Sequence, residues 1–189
     1  MLLDGRMTHP WIGADENTLP LKELSGPVLP EPPLHGAGGV ECSACNPPVE
    51  DPWLVYEDDL WRVRALHREM SFPGTAMLES KRHANGIADL TPEEAAGFGV
   101  MCQKISRALL ARPEGGPGYG DGRVGRVHMH FWGDGGEHFH AWFFPRPLGY
   151  LDLRGSYLVE WEELLPAASE QELLAGAADL RARLGTGRE

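Results

Sequence analysis

The sequence predicts an α+β domain: an antiparallel sheet with a long helix packed on it, plus an extended N-terminal arm and a C-terminal helix. Three observations carry this expectation. Short strand-like segments separated by turn residues follow residue 50, a capping box at Thr91 opens a long amphipathic stretch, and two further strand-like runs end near Phe144.

Residues 1–40 are rich in Pro and Gly and show no sustained periodicity, so they are expected to form the arm. Its apolar Trp11, Leu19, Leu21 and Leu29 favour packing over a loose tail. The main domain is expected over 41–147 and a helical extension over 148–189. Trp53 to Tyr56, Trp61 to Ala65 and Gly74 to Glu79 are short and apolar or aromatic, bounded by Glu57-Asp58-Asp59 and Ser71-Phe72-Pro73-Gly74, as in an antiparallel meander. Thr91-Pro92-Glu93-Glu94 supplies an N-cap, a proline at the first helical position and a capping-box glutamate, and apolar spacing continues to about Ala111. Val124 to Trp132 and Glu137 to Phe144 flank Gly133-Asp134-Gly135-Gly136 and predict a hairpin. Ser169 and Glu172 repeat the capping box for a last helix running to about Leu184.

A formal charge of -11 gives no electrostatic basis for binding nucleic acid or anionic lipid. No apolar run approaches the ~20 residues that cross a bilayer. The start MLLDGRMTHPW lacks the basic segment and apolar core of a secretion signal, so the expected location is the cytoplasm. Cys102 shares a helical face with Phe98, Ile105 and Leu109 and is expected to be a structural thiol. The remaining two cysteines form Cys42-Ser-Ala-Cys45, a spacing that in a reducing compartment points to metal or redox chemistry.

His138-Phe-His140 has the two-residue period of a strand, which puts both imidazoles on one face. Trp142 extends that face. His128 and His130 form a second such pair, and the length of the intervening loop decides which face they take. A two- or four-residue loop sends them to the far face, whereas a three-residue loop with a bulge pairs His130 with His140.

Read in order, Cys42-x-x-Cys45, Trp61-Arg62-Val63, Pro73-Gly74, Lys81-Arg82-His83, Leu90-Thr91-Pro92-Glu93-Glu94 and His138-Phe-His140-Ala-Trp142-Phe-Phe-Pro145-Arg146 resemble the histidine-triad (HIT) superfamily over about residues 40–147. The resemblance implies a homodimer acting on nucleoside phosphates, as a hydrolase or a nucleotidyltransferase. By position His140 is the nucleophile that forms a nucleotidyl-histidine intermediate. Cys42, Cys45, His83 and His138 match the zinc ligands of some members, including the galactose-1-phosphate uridylyltransferase branch, and imply a closed structural site. Gly135 and Gly136 either offer backbone N–H groups to phosphate or simply turn the chain. Arg146 is either a phosphate partner or a strand-end surface arginine. His130 joins the site only in the near-face register.

Two departures from the pattern matter chemically. Trp142 stands where the third histidine belongs and has no proton to relay. Glu137 replaces a small polar residue, bringing a negative charge near a phosphate site. Two other readings follow from them: a non-catalytic nucleotide-binding module, or an enzyme repurposed for a specialised biosynthetic pathway.

Overall fold

The strand-like segments between residues 54 and 147 pair into one five-stranded antiparallel sheet in the computed structural model, which describes residues 2–3, 6–7, 28–66, 70–153, 158–159 and 165–185. The chain divides into two compact units, Met1–Pro33 and Leu34–Glu189. In the first, β1 (Leu2–Leu3) and β2 (Arg6–Met7) form a small antiparallel pair with Leu2 opposite Met7. The expected cover over Trp11, Leu19 and Leu21 lies outside the described residues.

The second unit holds β3 (Leu54–Glu57), β4 (Trp61–Ala65), β5 (Ala76–Ser80), α1 (Pro92–Leu110), β6 (Val124–His130), β7 (His140–Pro147) and α2 (Glu170–Leu184). The sheet order is β3-β4-β5-β7-β6. Strand alternation sorts the side chains: Val55, Trp61, Val63, Ala76, Leu78, Ala141 and Phe143 enter one core with Ile105 and Leu109 of α1 and Leu180 and Leu184 of α2. The two helices lie side by side on that face, α1 against β6 and β7, and α2 against β3 and β4. Gly176 lets α2 come close, because a Cβ there would lie 2.6 Å from the backbone nitrogen of Gly74.

Both capping boxes form. Thr91 Oγ1 accepts from the Glu94 N–H at 3.2 Å while Glu94 accepts from the Thr91 N–H at 2.7 Å, and Ser169 and Glu172 exchange the same bonds. Glu94 also receives Arg82 Nε at 2.9 Å and Nη2 at 2.6 Å, which anchors the start of α1 to the basic turn after β5. Cys102 packs half-buried against the core, and burial pushes its thiol up to about 11.

The hairpin differs from the sequence expectation. Pairing of β6 with β7 begins at His130 opposite Trp142, so residues 131–139 are irregular and Glu137 does not pair with Trp132. Other partners take this backbone: the Glu137 N–H donates to His35 O at 2.8 Å, and Ser80 N–H donates to Phe139 O. One further correction follows, and one open alternative is decided. His138 precedes the strand, which starts at His140, and the register places His128 and His130 on the same face as His140 and Trp142.

Candidate metal centre and active site

The loop before β3 builds the first half of the centre. Gly36, with φ of 78°, a left-handed conformation that favours glycine, turns the chain into a short 3-10 segment, Ala37–Gly39. The Cys45 N–H donates to Cys42 Sγ at 3.4 Å, which closes the Cys-x-x-Cys turn. Arg62, buried on β4, donates to Ala44 O at 2.9 Å and holds that turn against the sheet.

His83 and His138 complete the set, and the ligand atoms of all four residues lie within 4.8 Å of one another. Cys42 Sγ stands 3.3 Å and Cys45 Sγ 3.6 Å from His138 Nδ1, Cys45 Sγ is 3.4 Å from His83 Nδ1, and the two Nδ1 atoms are 3.3 Å apart. A tetrahedron with Zn–N of ~2.05 Å and Zn–S of ~2.3 Å has edges of about 3.3 Å between nitrogens and about 3.5 Å between nitrogen and sulfur. The observed spacings are those edges. Two thiolates and two imidazoles fill four positions, so this is a zinc site of the closed, structural kind.

The surroundings prepare the ligands. A carbonyl can only accept, so His138 Nε2, 2.7 Å from Ser80 O, carries the proton and leaves Nδ1 its lone pair. Burial holds the His138 imidazole below its ordinary pKa, which favours the neutral, ligating form. Behind His83, Glu137 Oε1 stands 3.5 Å from Nε2 and accepts from the Gly38 N–H at 2.9 Å. Burial and the neighbouring Cys42 push the Cys45 thiol up to about 11, so near neutrality a cation bound to the sulfur is what would drive its proton off to solvent.

Beside this centre lies a cavity of about 280 Å³. Gly135, Gly136, Glu137, His138, His140 and Trp142 all line it. His140 Nδ1 donates to His138 O at 2.7 Å, which fixes the ring of an imidazole that lines the cavity. Trp142 lies parallel to Phe144, with ring centroids 5.9 Å apart and planes at 5°, and offers a flat wall two residues from His140.

Arg146 and His130 do not line this cavity. Six residues along β7 from His140, about 20 Å of strand, Arg146 donates to the carbonyls of Pro147 and Tyr150. His130 stacks on Trp132 at 4.9 Å, beside Trp142 on the neighbouring strand. Sequence reading missed Glu79, Met77, His35 and Ser43, which also line the cavity. Met77 and Glu79 share a face of β5 by strand alternation, but only the pairing of β5 with β7 brings them to the cavity, and only the fold brings His35 and Ser43 there.

No protein-family model and no curated protein matches this sequence. Solved structures do match. A histidine triad protein from Bradyrhizobium japonicum superposes with a TM-score of 0.52 at 18% identity, over 70% of this chain and 90% of that one. A zinc-bound histidine triad family protein from Mycobacterium smegmatis gives 0.50 at 20%, over 71% and 85%. The fold is the histidine-triad fold. A uridylyltransferase shares it, with a TM-score of 0.50 at 20% identity, over 77% of this chain and 44% of that larger one. In this chain His138 turns its Nδ1 into the cysteine cluster, while His140 lines the cavity outside that cluster. The third position, Trp142, closes one side of that cavity.

Proposed function

We propose that the chain is a nucleotide hydrolase or nucleotidyltransferase that acts on a nucleoside phosphate through His140. The observation that carries this reading is the His140 imidazole, pinned through Nδ1 to the His138 carbonyl and lining a cavity, so that its neutral form would have Nε2 for the attack. Nε2 attacks the α-phosphorus, an N–P bond forms, and the bond from phosphorus to the leaving group breaks with its electron pair. Water or another acceptor then attacks the same phosphorus and releases the imidazole. Gly135 and Gly136 border the cavity, where backbone N–H groups suit phosphate oxygens, and Trp142 suits the face of a base.

Cys42, Cys45, His83 and His138 would hold zinc, which supplies a rigid link between three chain segments when bound. His138 is thereby reserved for structure, and its carbonyl remains the brace of His140. Trp142 has no proton to give a departing group, so acyl adenylates and pyrophosphates, whose leaving groups depart as stable anions, are the substrates to favour over phosphoramidates, whose amine needs a proton from elsewhere to leave. The same substitution favours a second reading, a nucleotide-binding protein without turnover.

The test is incubation with a panel of such nucleotides, followed by an alkaline quench and mass spectrometry. The expected result is an acid-labile, alkali-stable nucleotidyl adduct on His140 and turnover that is lost in His140→Ala with zinc content unchanged. Turnover in His140→Ala near the wild-type rate removes the covalent mechanism, and binding without turnover in the wild type leaves the second reading.

A further inference from the structure

With Trp142 at the third position of the motif, that position has no proton for a departing group. The chain brings another imidazole to the same cavity. His35 comes from the loop before the Cys-x-x-Cys turn, outside the stretch that resembles the family, and lines the cavity together with His140. It is exposed, and its ring makes no hydrogen bond or ion pair with a described residue. The backbone around it is fixed: the Ala37 N–H donates to Leu34 O at 3.1 Å, and His35 O accepts from the Glu137 N–H at 2.8 Å. The loop that carries His35 is thereby tied to the segment leading into β7.

The placement suits a leaving group. Displacement at phosphorus runs in line, so the departing atom lies on the side of phosphorus opposite the attacking nitrogen. His140, Met77 and Trp142 stand on β5 and β7 as the floor of the cavity, and His35 belongs to its loop wall. A group leaving from phosphorus at His140 therefore points away from the sheet, toward the loops. The other proton-bearing side chains of the cavity are engaged elsewhere. Cys42 and His138 belong to the metal set. Glu79 is 3% exposed, with Oε2 buried 3.5 Å from Arg64 Nε. Glu137 Oε1 accepts from the Gly38 N–H at 2.9 Å, beside His83. Ser43 offers a hydroxyl, a far weaker acid than an imidazolium. His35 is left, and imidazole is the side chain most used to give and take protons near neutrality.

Resting on the nucleotide reading above, we infer that His35 is a catalytic residue that hands a proton to the departing group. As His140 Nε2 forms its bond to phosphorus, the bond from phosphorus to the leaving nitrogen or oxygen breaks. The electron pair goes to that atom, and the imidazolium of His35 supplies its proton. Water then attacks the phosphorus, gives a proton back to His35, and releases His140 with the electron pair of the N–P bond.

The experiment compares wild type, His35→Gln and His35→Ala on two probes made from each of the four ribonucleoside 5′-monophosphates. One is the N-alkyl phosphoramidate, whose amine must be protonated to leave; the other is the p-nitrophenyl ester, whose phenolate departs unaided. The readout is kcat/KM, which covers the steps through departure of the leaving group, with melting temperature and zinc content as reports of folding. The expected result is a loss of about 100-fold to 10,000-fold in both variants on the phosphoramidate, and a loss at least ~10-fold smaller on the ester. Equal losses on the two probes, no loss on the phosphoramidate, or wild type that turns over the ester alone overturn the inference while the nucleotide reading stands. Wild type that turns over none of the probes overturns both.

Discussion

Removing the metal should destabilise the protein by an amount that the chain connectivity sets. Zinc on Cys42, Cys45, His83 and His138 closes one loop of 38 residues, from Cys45 to His83, and another of 55, from His83 to His138. The chain-entropy relation gives about 4 kcal/mol for each closure, so ~8 kcal/mol is a ceiling. Cross-links commonly deliver less, and half that value is about 4 kcal/mol. At ~2–4 °C per kcal/mol for a chain of this size, the melting temperature should fall by about 8–16 °C. The assay is calorimetry of zinc-loaded protein, of chelator-treated protein and of Cys45→Ser, with zinc measured by elemental mass spectrometry. Zinc added back should restore the chelated wild type and leave Cys45→Ser low. Equal melting temperatures with and without metal would refute the reasoning, as would one zinc per chain retained in a Cys42→Ser, Cys45→Ser double variant.

Three other outcomes are expected. Trp142→Ala should weaken nucleotide binding by about 5-fold to 100-fold, the range of one base–aromatic stack, while Trp142→Phe keeps most of the affinity; titration calorimetry decides it, and equal affinities rule out stacking. Leu180→Ala, at a fully buried position of α2, should cost about 2–5 kcal/mol in denaturant unfolding, because the C-terminal helix is part of the core. The hydrogen bonds from Arg82 lower the Glu94 carboxyl from 4.5 to about 2. Its contribution is therefore present above the unfolded-state value and lost as pH falls toward 2. Glu94→Gln should narrow the gap between stability at pH 6 and pH 3, measured by urea unfolding, and an unchanged gap rejects the pairing.

How much of this was legible in the sequence depends on how local each signal is. Both capping boxes are four-residue patterns, and both helices begin where Thr91 and Ser169 place them. The metal set was legible for a different reason: softness and spacing mark Cys42 and Cys45, and the resemblance supplied His83 and His138. The facing of His128 and His130 was not, because it turns on the parity of a loop whose length is set by distant partners, His35, Ala84 and Ser80. Glu79 escaped for a related reason. A glutamate in a short strand carries no mark of lying opposite His140, since β5 and β7 become neighbours only through a connection that contains α1 and β6.

The carboxylate of Glu94 joins two regions that would otherwise open separately. It caps the first turn of α1 and grips Arg82, whose neighbour in the chain is His83. Fraying at the start of that helix therefore loosens the His83 segment as well. In hydrogen exchange, amides of the first turn of α1 and of the Lys81–Ala84 turn should behave as one cooperative opening unit, exchanging with a common free energy and a common response to denaturant. The centre would then lose its grip on His83 first, ahead of Cys42, Cys45 and His138, when the protein begins to come apart.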